Sequence, residues 1–134
     1  MPRRRRLRKI VAPPGFRGYR PYGVNRSVQG LVELLYEEYE AIKLADYDMM
    51  NHKEASELMG ISRPTFARIY ESARRKMAKA LVETKEIKTV YGNALLDDNW
   101  FVCDSCYARF TIPGTLKKNN CPMCSSGQIE SLKP

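Results

Sequence analysis

The sequence predicts a mainly α-helical chain of 134 residues that closes with a small β unit around four cysteines. Three observations predict it. Apolar residues recur at helical spacing through much of the stretch from Leu31 to Val82. Two of those helical stretches meet at Gly60, one opened by an N-cap signal at Asn51 and the next by another at Ser62. All four cysteines lie beyond residue 102, as two C-x2-C pairs.

The elements follow in order. Residues 1–26, "MPRRRRLRKIVAPPGFRGYRPYGVNR", show neither the helical nor the strand period. Their Arg, Pro, Gly and Tyr content reads as a basic arm, ordered only in part or on binding. A helical domain is expected over 27–86. Leu31, Leu35, Tyr39, Ile42 and Ala45 share one helical face, and Glu33, Glu37, Glu38 and Glu40 are expected on a solvated one. The start of that helix is open, because "LVELLY" can also begin extended. Asn51 with Glu54 three residues on forms a capping box for a helix from His52 to Met59. His52, the one histidine, is expected in a capping or solvent position. Gly60 suits the left-handed stop, Ser62 caps the next helix, and Pro64 stands in its first turn, where a missing N–H costs nothing. Residues 87–98 read as a linker or short strand with a Gly92-Asn93 turn. Residues 99–134 have too few apolar side chains to fold without a staple.

Charge narrows the partners. The formal net charge is +8, distributed unevenly: residues 1–26 hold nine Arg or Lys and no acid, whereas 27–50 hold one Lys against six acids. Such a chain favours polyanions. No apolar run approaches the roughly 18–20 residues of a membrane span, and the basic start lacks the apolar core of a secretory signal. The expected location is the cytoplasm. No nucleophile–base pairing or phosphate-cradling glycine loop is visible, so no enzymatic activity is expected.

The corner at Gly60 meets the requirements of a helix-turn-helix. Small residues, Ala55 and Ser56, stand where the helices cross, and Met59, Ile61, Phe66 and Ile69 point inside. At 100° per residue, Phe66, Ile69, Tyr70, Ala73, Met77 and Ala80 form one apolar face, while Arg68, Arg75 and Lys79 form a basic ridge opposite. Duplex DNA is the partner this arrangement suits. Ser62, Arg63, Pro64, Thr65, Ala67, Arg68 and Glu71 are placed to meet it. Arg68 is the candidate for a bidentate contact to guanine, and Arg63 and Thr65 for a base or a phosphate. Ser62 is a cap first and a phosphate contact second, and Arg75 and Lys79 suit phosphates. Arg3, Arg4, Arg5 and Arg6 suit a minor groove.

The stretches "EAIKLAD", "EASELMGIS" and "TFARIYESARRK", with "RRRRLRKIVAPPGFRGYRPYG" at the start, resemble a family of small prokaryotic DNA-binding proteins, domain-of-unknown-function family 134. The resemblance covers about residues 1–86, and the helix pair is also similar to sigma factor region four. It implies a tri-helical DNA-binding fold and transcriptional regulation. One departure is Ser56, where such motifs often carry Ala.

Cys103 and Cys106 form "CDSC", and Cys121 and Cys124 form "CPMC". Two such pairs can offer four thiolates to one ion, leaving no position for a substrate, so a structural metal is expected. The segment looks like a zinc ribbon, with one Zn²⁺. "CPMC" also resembles a knuckle of rubredoxin-like iron sites, which leaves a redox protein as the alternative. The glycine that typically follows such knuckles is absent, Tyr107 and Ser125 standing there instead, and this favours zinc. A third reading is an RNA-binding or RNA-polymerase-associated module. A homodimer is compatible with the helix pair, although no distinct interface is visible.

Overall fold

The computed structural model describes residues 7–24, 30–96, 99–112 and 120–132. The expectation of a mainly α, tri-helical chain is overturned. Among the described residues, eight strands in three sheets accompany three α-helices and a π-helical segment, so the architecture is mixed α and β. The helices are α1 (Tyr36–Ile42), α2 (His52–Met59) and α3 (Arg63–Val82), with the π segment at Lys43–Tyr47.

The strands arise largely where no period is visible. β1 (Arg8–Ile10) and β2 (Gly18–Tyr19) come from the stretch read as an arm, and β4 (Glu86–Val90) and β5 (Ala94–Leu96) from around the stretch read as a linker. β4 is the centre of one sheet, parallel to β3 (Leu31–Leu35) and antiparallel to β2. β1 and β5 form a parallel pair. The third sheet is the ribbon: β6 (Trp100–Cys103) between β7 (Arg109–Thr111) and β8 (Ile129–Ser131), all antiparallel.

"LVELL" takes its extended alternative. Val32 and Leu34 are buried and Leu31 and Glu33 exposed, an alternation that an α-helix cannot sustain. Helix α1 therefore starts at Tyr36, where Glu38 Oε1 accepts from the Leu35 N–H at 2.8 Å. Leu35 has no side-chain acceptor, so only this half of a capping box exists.

Helix α3 spans two apolar clusters. Ala73 and Ala80 pack with Val32, Leu34 and Ile87 of the sheet, and Phe66 packs with Ala41, Leu44, Ala55 and Met59. A third cluster joins Ile10, Tyr36, Ala94 and Leu96, with Trp100 of the ribbon packed against it.

The carboxylates of α1 correct a second expectation. Glu37, Glu38 and Glu40 are buried, not on a solvated face. Each is used to fasten another segment. Glu37 Oε2 accepts from the Asn93 N–H at 2.9 Å, and Glu40 Oε2 from the Val11 N–H at 3.4 Å. Glu38 accepts from Lys76 Nζ at 2.7 Å and from Ser72 Oγ at 2.6 Å. Desolvation pushes Glu40 above the ordinary carboxylate range, with Lys43 opposing.

Candidate nucleic-acid interface and metal centre

The helix corner is built by its caps. Asn51 Oδ1 accepts from the Glu54 N–H at 2.8 Å and Glu54 Oε1 accepts from the Asn51 N–H at 3.4 Å. Gly60 closes α2 with φ 66° and ψ 34°. The nearest atoms to a Cβ there would be the Lys9 methylenes, in ordinary contact at 3.6–3.8 Å, so glycine is required for its conformation and not for space. Ser62 Oγ accepts from the Thr65 N–H at 3.3 Å and donates to Thr65 Oγ1 at 2.9 Å. Ser56 is buried, with its hydroxyl returned to the Lys53 carbonyl at 2.9 Å, which is how the crossing accommodates the extra oxygen.

Of the residues named from sequence on α3, Arg63, Pro64, Arg68, Glu71, Arg75 and Lys79 are exposed, as is the cap Ser62. Thr65 and Ala67 are half-buried. Arg68 faces outward and its Nη2 donates to Thr65 Oγ1 at 3.3 Å. Arg75 is not unengaged: its Nη2 pairs with Glu71 Oε1 at 2.9 Å. Arg3, Arg4, Arg5 and Arg6 lie outside the described residues.

Sequence reasoning missed Arg74. Its guanidinium lies 5.4 Å from the Tyr70 ring centre. Tyr70 stacks on Phe66, and His52 meets both rings edge-on. The Tyr70 hydroxyl donates to Asp46, and that bond leads the causes that raise the phenol's pKa. A shallow groove of about 420 Å³ runs past His52, Ala67, Tyr70, Glu71, Arg74 and Arg75. The spacing Tyr70–Arg74 at i, i+4 was the available signal.

In the ribbon, the four cysteine sulfurs lie within 4.8 Å of one another. Cys103 Sγ is 3.6 Å from Cys124 Sγ, and Cys106 Sγ is 3.6 Å from Cys121 Sγ. A tetrahedron with metal–sulfur bonds of about 2.3 Å has edges of about 3.8 Å, so the donor set fits one ion. The knuckles prepare it. Ser105 N–H and Cys106 N–H point at Cys103 Sγ, at 3.3 and 3.5 Å, and Met123 N–H at Cys121 Sγ, at 3.4 Å.

Each pair is closed by the residue after it: Tyr107 N–H donates to the Cys103 carbonyl and Ser125 N–H to that of Cys121, both at 2.9 Å. Both residues have φ 64°, the left-handed conformation usually given to glycine. The Cys106 and Ser105 N–H groups, working against burial, bring the Cys103 thiol down to about 6. Cys124 receives the Ser126 N–H, but its sulfur neighbours, Cys103 first, and desolvation push it up to about 12. One thiolate forms easily and crowding resists the next, an imbalance that a cation at the centre relieves.

Comparison with known proteins now places the chain. The family described as "Protein of unknown function DUF134" matches residues 1–96. The chain belongs to that family. A UPF0251 protein of Chloroherpeton thalassium is 41% identical over 133 residues, covering 99% of this chain and 88% of the relative. One of Pelotomaculum thermopropionicum is 38% identical over 126 residues, covering 94% and 95%. One of Methanothermobacter thermautotrophicus is 39% identical over 129 residues, covering 96% and 67%. No solved structure matches. The match to the DUF134 family stops at residue 96, ahead of all four cysteines. No helix among the described residues is long and apolar enough to cross a membrane.

Proposed function

We propose that this chain binds double-stranded DNA sequence-specifically as a transcriptional regulator, and that its ribbon holds one structural zinc ion. A single observation carries the first part: the N-terminal half of α3 buries Phe66 and leaves Arg63 and Arg68 exposed, with Arg68 on the side away from that core. A major groove is wide enough for one helix, and an arginine at its edge can take guanine O6 and N7 together, a contact worth about 1–3 kcal/mol of discrimination. The +8 net charge supplies the sequence-independent attraction. For the second part, a closed four-thiolate shell suits a redox-silent ion that cross-links a unit whose core is Cys103, Phe110 and Cys121.

Selection of bound sites from a random duplex library tests the reading. The wild-type protein recovers a motif, and Arg68→Ala recovers one relaxed at a guanine. A library that yields no motif, or structured RNA that outcompetes duplex at matched salt, removes it. Elemental analysis of colourless protein yields one zinc per chain; a red protein that bleaches on reduction assigns iron and the electron-transfer alternative.

A further inference from the structure

Residues 9–17 run between the helix corner and the metal centre and touch both. At one end, the Lys9 side-chain carbons lie over Gly60, 3.6–3.8 Å from where a Cβ would stand. Ile10 is buried beside Tyr36, and the Val11 N–H donates to Glu40. Pro13 and Pro14 are buried, and their rings fix φ at those two positions, ahead of an exposed Gly15. Phe16 meets Tyr39 edge-on, at 5.9 Å between ring centres. The carbonyls of Phe16 and Arg17 accept from Thr89 Oγ1 at 3.1 Å, and that of Arg17 also from the Thr89 N–H at 3.0 Å. At the other end the Arg17 guanidinium lies 5.1 Å from the Tyr107 ring centre and 3.9 Å from Asp104 Oδ1. Asp104 stands between Cys103 and Cys106, and Tyr107 immediately follows them.

We propose that residues 9–17 are a strap through which the metal state of the four cysteines sets the helix corner, making the ribbon a metal-sensing control element as well as a staple. Asp104 stands inside the first cysteine pair, its N–H donating to the Gln128 carbonyl at 2.8 Å, and Tyr107 follows the pair, its N–H donating to the Cys103 carbonyl at 2.9 Å, in a left-handed conformation it does not prefer. Without a cation that loop relaxes and Arg17 loses both partners. The strap then loosens from the ribbon end toward Lys9 and Gly60. Two exposed contacts of this kind shift an opening equilibrium by about fivefold. The consequence for DNA rests on the function proposed above; the coupling itself does not.

Hydrogen exchange on the full chain tests it, under reductant, zinc-loaded against chelator-treated. Two amides report. The Thr89 N–H bonds the Arg17 carbonyl, and the Ile61 N–H bonds the Ser56 carbonyl at the corner, at 3.0 Å each. Chelation is expected to speed both about fivefold while the middle of α3, at Ala73 and Met77, is unchanged. Arg17→Ala with zinc bound reproduces the faster exchange, and chelation then adds nothing. Arg20→Ala, which breaks only the neighbouring 3.1 Å pair with Glu86, behaves as wild type. Thr89 and Ile61 unmoved by chelation, or a full response retained in Arg17→Ala, overturns the proposal. So does loss of protection throughout α3, because the metal then holds the domain as a whole. In parallel, duplex affinity falls on chelation in wild type and not in Arg17→Ala. A zinc-loaded wild type that binds no duplex removes the DNA reading and leaves the exchange result to decide the strap.

Discussion

Ser125 and Tyr107 occupy equivalent left-handed positions after the two cysteine pairs, so replacing each by glycine isolates backbone strain from side-chain contact. A left-handed conformation costs a non-glycine residue roughly 1–2 kcal/mol. Glycine removes that cost but adds roughly 0.5–1 kcal/mol of unfolded-state entropy. Ser125 is exposed, so the net gain for Ser125→Gly is about 0.5–1 kcal/mol. Tyr107→Gly gains the same from the backbone and loses the Arg17 contact, worth about 0.5–1 kcal/mol at an exposed site, so it ends near zero. The knuckle must be closed to bind metal, and the gain therefore appears as affinity. Competition with a chromophoric zinc chelator reads Ser125→Gly as about two- to fivefold tighter and Tyr107→Gly as unchanged, by the conversion of roughly 1.4 kcal/mol per tenfold. Ser125→Ala serves as the control that keeps the strain. If Ser125→Gly binds zinc no more tightly than Ser125→Ala, the left-handed residues store no strain and the reasoning fails.

Gly60→Ala should cost about 1 kcal/mol in urea unfolding, because the position needs φ 66° while the space for a methyl exists; a loss above about 3 kcal/mol would point to a steric role that the Lys9 distances do not support. Lys76→Met strands the buried Glu38 carboxylate and should cost roughly 2–3 kcal/mol, with Glu38→Gln in the same chain restoring most of it. A double mutant no better than Lys76→Met would show that the charge was never the cost. Glu40 is raised by burial, so the folded state holds its proton more tightly than the unfolded one. Its contribution to stability is complete below the usual glutamate range near 4.5 and is lost as pH rises through the higher folded value. Glu40→Gln should flatten that part of the stability profile, as followed by thermal melts between pH 4 and about 8; an unchanged profile would place the titration elsewhere.

What could be read from residues in order was what neighbours in the chain decide. Asn51, Glu54, Gly60, Ser62 and Pro64 act on groups within four residues of themselves, so the two helices and their corner were legible. The cysteine pairs carry their own knuckle geometry, and the clustering of all four sulfurs followed. The mixed sheet architecture was not legible. β1 and β2 are three and two residues long, too short to display a period, and β1 finds its partner β5 across most of the chain. The three glutamates of α1 sit on a helix that looks solvated until β1, β5 and α3 close over it. Local capping and ligand spacing are short-range and survive in any context, whereas strand pairing and carboxylate burial exist only once distant segments meet. The tertiary structure alone therefore decided that residues 9–17 lie between the helix corner and the metal centre.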